Sequence, residues 1–130
     1  MQGCCFLVKS KINGLYWIIK RINVENMSIE ERTLAKNEAR ILEKLDHPNV
    51  IGFRSVYRLA DGKKMDIVME YADAGDLQHL IDKKMRAAVK RFSEADVLKI
   101  IYQICLGLKH CHDQAIMHRD IKTANVFCTK

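Results

Sequence analysis

His118-Arg119-Asp120-Ile121-Lys122-Thr123-Ala124-Asn125 is the stretch that decides how this chain is read. It follows a segment with helical apolar spacing and precedes a short apolar run, Val126-Phe127-Cys128. Two cations, a carboxylate, an imidazole and a carboxamide packed together make a poor core element but an economical chemical one. The carboxylate of Asp120 can accept a proton from an attacking hydroxyl, the ammonium of Lys122 can neutralise charge on a group in transfer, and the amide oxygen of Asn125 can hold a metal ion. The structural alternative is a polar turn after a helix, with Asp120 or Asn125 capping a neighbour.

Outward from that stretch the pattern is regular. Ser93 is placed to cap a long helix, in which Val97, Leu98, Ile101, Ile104, Cys105, Leu108, Cys111 and His112 recur at helical spacing to roughly residue 113. Cys105 and Cys111 lie on that stripe and are expected in the core. Lys83 to Arg91 reads as a basic, solvated linker, and Asp76 as the N-cap of a short helix ending near Lys83. Further upstream, residues 65–71 and 53–57 read as strands joined by the turn Ala60-Asp61-Gly62-Lys63-Lys64. Ser28-x-x-Glu31 is a capping box that opens a helix, which Asp46-His47-Pro48 closes. Leu34, Glu38, Ile41, Leu42 and Leu45 share one face of it.

Residues 5–9 and 15–22 are β-rich runs flanking Asn13-Gly14, a hairpin turn signal. Lys20 sits inside the second run. It is either an edge-strand lysine reaching water or a cation that needs a partner or a polar cleft. Glu38, a carboxylate on an apolar helix stripe, has the complementary need unless its head reaches solvent. The fold class is α+β: a small antiparallel sheet with one long helix, then a helical unit.

These motifs resemble the eukaryotic protein kinases, whose catalytic loop reads H-R-D-x-K-x-x-N. His47-Pro48-Asn49-Val50-Ile51 and Ala72-Asp73-Ala74-Gly75-Asp76-Leu77 look most like the NIMA-related group, and Lys122 resembles the serine/threonine form of the loop. The resemblance implies a small lobe over residues 1–71 and the first helices of a large lobe over 72–130. It implies transfer of the γ-phosphate of ATP, with Mg2+, to a protein Ser/Thr hydroxyl. By the same resemblance Asp120 orients and deprotonates that hydroxyl, Lys122 lies beside the phosphoryl, and Asn125 holds magnesium. Lys20, oriented by Glu38, holds the α- and β-phosphates. Met69 takes the gatekeeper position, Glu70, Tyr71 and Ala72 the adenine-facing hinge, and Asp76 the ribose. Gly3 falls at the last glycine of the Gly-rich loop, Cys5 stands over the adenine, and Ile18, bulkier than the usual alanine, narrows its site. Arg119 often receives a phosphorylated activation loop in the family, and His118 is largely structural there.

The match begins inside the Gly-rich loop and ends before an Asp-Phe-Gly motif, so the expectation is a kinase fragment of doubtful activity. The alternative is an inactive truncated kinase or an interaction module. Composition narrows the rest. A chain of 130 residues with 48% hydrophobic content supports one core, not two independent domains. The net charge of +6 is spread along the chain without interleaved aromatics, which argues against nucleic acid as partner. No run approaches the ~18 apolar residues of a membrane span, and the opening residues lack a signal-peptide core. Five cysteines without metal-ligand spacing point to a reducing, intracellular setting: the cytoplasm, with nucleus or cytoskeleton left open.

Overall fold

The computed structural model describes residues 3–87 and 91–130; within the first helix the side chains of Ala35, Lys36, Glu38 and Ala39 lie outside the described set. The chain divides into two compact units, Met1–Asp46 with Ile51–Tyr71, and His47–Val50 with Ala72–Lys130.

The first unit is a four-stranded antiparallel sheet with one helix. Its elements are β1 (Cys4–Lys9), β2 (Tyr16–Asn23), helix α1 (Ile29–Glu43), β3 (Phe53–Arg58) and β4 (Lys64–Glu70), with strand order β1-β2-β4-β3. The first hairpin closes through Ser10 N–H to Leu15 O and Gly14 N–H to Ser10 O, with Gly14 at φ +72°, where a side chain would be strained. Ser28 opens α1 with both halves of its capping box, Ser28 Oγ accepting from Glu31 N–H and the Glu31 carboxylate accepting from Ser28 N–H. The core is Ile22, Val24, Met65 and Ile67, flanked by Met27, Leu42, Phe53 and Met69. The stripe expected on α1 is buried at one end: Leu45 is buried beyond the helix and Leu42 half-buried, whereas Leu34 and Ile41 stay exposed. The helix packs on β3.

β2 is interior, flanked by β1 and β4. The reading of Lys20 as an edge-strand lysine therefore fails, because a cation in the middle of a sheet cannot reach solvent past a free edge. Its neighbour Arg21 makes a two-pronged pair with the buried Asp66, Nε to Oδ1 and Nη2 to Oδ2, both at 2.7 Å. Alternation along a strand puts this pair on the sheet face opposite Lys20.

The second unit contains β5 (Gly75–Asp76), α2 (Leu77–Arg86), α3 (Glu94–Asp113), a 3-10 turn at Thr123–Asn125, and β6 (Phe127–Cys128), which pairs antiparallel with β5. α2 runs further than its sequence suggested. Lys83, Lys84 and Arg86 form its last turn, where cations suit the exposed carbonyls, and Lys84 lies 4.1 Å from the Phe92 ring centre. Ser93 caps α3 through a second capping box with Asp96. Cys111 is buried as expected, but Cys105 is exposed, since the stripe is wider than the surface the described residues offer it.

Residues 47–50 belong with the second unit, although chain order had put them in the first. The His47 and His110 rings stack at 5.1 Å between centres, His47 Nδ1 accepts from Asn49 N–H, and α3 approaches Asn49 at Gly107. A β-carbon at Gly107 would lie 2.5 Å from the Asn49 carbonyl oxygen. α3 ends in a Schellman arrangement, with Ile116 N–H bonding to Cys111 O and Ala115 N–H to His112 O. Ala115 there takes φ +57°, the position glycine usually fills.

Two substitutions read these contacts in opposite directions. Gly107→Ala is expected to lower stability by about 1–3 kcal/mol in urea unfolding, because the clash exceeds the helix-propensity gain. Ala115→Gly is expected to raise stability by about 0.5–1 kcal/mol by relieving the left-handed strain. Unchanged midpoints in both would contradict this packing.

Candidate functional site

In the first unit the ladder register collects several of the sequence candidates. Cys5 lies opposite Lys20, Lys20 opposite Ile67, and Ile18 opposite Met69. Directly paired residues of an antiparallel ladder project to the same side, so Cys5, Ile18, Lys20 and Met69 share one sheet face with the core residues Ile22, Ile67 and Met65. Lys20 is half-buried there. Gly3 precedes this group, and a β-carbon on it would come 2.8 Å from Arg21 O, so the backbone approaches β2 more closely than any side chain allows. The expected role of Glu38 falls on a side chain outside the described set.

Glu70, expected to face an adenine through its backbone, has its N–H and its carboxylate engaged with Gly52. Its N–H donates to Gly52 O at 2.8 Å, and its carboxylate accepts from Gly52 N–H at 3.0 Å. Both groups are engaged within the first unit and unavailable to an adenine. Tyr71 is half-buried with its ring 6.2 Å from that of Tyr16, and Ala72 is buried.

In the second unit the loop 118–125 has a definite geometry. Lys122 Nζ stands 2.9 Å from Asp120 Oδ2, and Asn125 Nδ2 donates to the same oxygen at 2.9 Å and to the Asp120 carbonyl at 2.9 Å. Both donors converge on Oδ2. Asp120 N–H donates to His118 Nδ1 at 3.3 Å, and Arg119 between them adopts φ +63°, a left-handed turn that is unusual for a residue with a β-carbon. The hydrogen bond from Lys122, then that from Asn125, holds the Asp120 carboxyl below the usual carboxylate range. Asp76 caps α2 through Oδ1, which accepts from His79 N–H at 2.8 Å.

The β5–β6 pairing was not visible in the sequence. It is closed by Ala74 N–H to Cys128 O and Leu77 N–H to Val126 O, so the start of α2 is laced to the residues that follow the loop. Thr123 Oγ1 adds a side-chain tie to Gln78 Oε1 at 2.5 Å. Runs as short as Gly75–Asp76 carry no periodicity, so only composition beside a turn could have pointed to them.

The donor set fits one hard-cation ligand. Asn125 spends Nδ2 on Asp120, which leaves its amide oxygen as the end that could hold a cation, and oxygen suits Mg2+. Among the described residues no group of three or more His, Cys, Asp or Glu side chains could hold a metal ion. Asn125 would be one ligand of a magnesium ion here, with phosphate oxygens among the others.

The lowered Asp120 carboxyl predicts a linkage of definite sign. A group with a depressed folded value contributes stability that is complete above its unfolded value and is lost as pH falls through the folded one. Lys122→Met should raise the Asp120 carboxyl toward the ordinary carboxylate range, as read by carbon NMR titration. A wild-type carboxyl already titrating in that range would refute the ion pair.

Similarity to known proteins points the same way. Human serine/threonine-protein kinase Nek5 is 41% identical over 128 residues, covering 98% of this chain and 17% of the relative. Mouse Nek1 is 39% identical over 128 residues, 98% of this chain and 10% of the relative. A probable serine/threonine-protein kinase nek3 of Dictyostelium discoideum is 42% identical over 125 residues, 96% of this chain and 11% of the relative. The chain thus spans under a fifth of the length of these relatives. A family model described as the protein kinase domain matches residues 1–130, the whole chain, and the protein belongs to that family.

Proposed function

We propose that this chain is part of a serine/threonine protein kinase that transfers the γ-phosphoryl of ATP to a protein Ser or Thr hydroxyl. The observation that carries the proposal is the Asp120 carboxylate, held ionised with Lys122 and Asn125 both on Oδ2. A carboxylate anchored through one oxygen suits a general base: Oδ1 would take the proton of the substrate hydroxyl while Oδ2 stays anchored. Lys122, already beside Asp120, supplies positive charge where the transferred group becomes most anionic. Bound magnesium would supply further neutralisation of phosphate oxygens. Asn125 would hold that ion through Oδ1 of its amide.

The shared sheet face supports the nucleotide end of the same reading. Ile18, Met69 and Cys5 offer apolar contact for an adenine, and Lys20 on that face offers an ammonium for phosphates. Asp76, whose Oδ1 is engaged in the cap, would offer Oδ2 to a ribose hydroxyl. We infer an intracellular setting from the five cysteines, all of which are free thiols. No helix among the described residues is long and apolar enough to cross a membrane.

The test is phosphotransfer to a protein substrate by the gene product that carries this sequence. Asp120→Ala should lower kcat by about 10²–10⁴-fold, the usual worth of a positioned general base. Equal rates for wild type and variant would refute the role of Asp120.

A further inference from the structure

We propose that Gln78 is a positioning residue for the loop 118–125: its amide, oriented by Asp82, holds the Thr123 hydroxyl and so fixes the turn between Lys122 and Asn125. The proposal rests on the kinase reading above for its chemistry and on separate geometry for its structure.

Gln78 is the second residue of α2. Its Nε2 donates to Asp82 Oδ1 one helical turn on, at 3.0 Å, and its Oε1 accepts from Thr123 Oγ1 at 2.5 Å. A glutamine amide has one accepting and one donating end, and an ionised carboxylate only accepts. Asp82 therefore decides that the accepting end of Gln78 faces the loop. The hydroxyl of Thr123 has a single proton, and that proton is committed to Gln78.

Thr123 opens the 3-10 turn in which Asn125 N–H bonds to Lys122 O and Val126 N–H to Thr123 O. It thus stands between the two residues that converge on Asp120 Oδ2. Backbone bonds from Leu77 and Ala74 secure the chain after the turn, at Val126 and Cys128. Gln78 secures the turn itself, where no ladder bond reaches. Among the described residues the side-chain partners of Asp120 Oδ2 are Lys122 and Asn125, so the influence of Asp82, Gln78 and Thr123 passes through backbone geometry.

Four variants in the full gene product test this: Thr123→Val, which removes the hydroxyl at constant volume, Thr123→Ser, Gln78→Leu, and the Thr123→Val/Gln78→Leu double. Thr123→Val and Gln78→Leu should each lower kcat about tenfold with KM for ATP within about twofold, the cost of one ordinary hydrogen bond expressed in the transition state. The double variant should be no slower than either single one, since both remove the same tie. Thr123→Ser should recover most of the rate. Amide hydrogen exchange at Asn125 and Val126 should quicken in Thr123→Val, a readout independent of activity.

Multiplying effects in the double variant, or Thr123→Val indistinguishable from wild type in both rate and exchange, would overturn the positioning role alone. Wild type no faster than Asp120→Ala would overturn the kinase reading and this role with it.

Discussion

The antiparallel ladder between β2 and β4 is the constraint on which the first unit depends. It places Lys20 opposite Ile67 and Ile18 opposite Met69, and with the β1 register it sets Cys5 beside them. A slip of one residue would move every one of these side chains to the other face. The Arg21–Asp66 pair opposes such a slip. Its two parallel 2.7 Å hydrogen bonds form only when the guanidinium and the carboxylate stand directly opposite each other. Because Asp66 is buried, a mismatched register would leave its charge unpaired away from water. The polar pair on one face thereby holds the chemically useful residues on the other, beside a core of Ile22, Met65 and Ile67.

The second unit solves a different problem, which is to hold an irregular loop still. Asp120 draws Lys122 and Asn125 onto a single oxygen, so the loop is organised by its own charges. Arg119 turns left-handed to allow it, a strained conformation of the kind that persists where surrounding bonds over-determine the backbone. Those bonds come from His118 within the loop and from the α2 side through Gln78, Leu77 and Ala74.

Local features were legible in the sequence because their causes are local. Ser28 with Glu31 caps a helix through a partner three residues away, Ser93 caps another at its own first turn, and Asn13-Gly14 turns a hairpin within six residues. The loop His118 to Asn125 was legible as chemistry because several charged and polar groups sit too close together for a core. What escaped depends on distance along the chain. Arg21 and Asp66 are 45 residues apart, as are Gln78 and Thr123, and neither pair has any periodicity to betray it. Lys20 was ambiguous for the same reason: whether a strand is interior or at an edge depends on which strand joins it later, here β4. Cys105 was misjudged because an apolar stripe says which way a helix faces, not how much of it is covered.

The short β5–β6 pairing carries a topological consequence. Since residues 74–78 and 123–128 hold one another directly, everything between them is a closed loop whose ends are already fixed. Chain added to the connection between α2 and α3 would then be charged only the slowly growing entropy of a longer ring, about 0.6 kcal/mol for each doubling of a flexible loop. Insertions between α2 and α3 would leave the spacing of Asp76 from the Asp120 loop untouched, because the short pairing fixes that spacing directly.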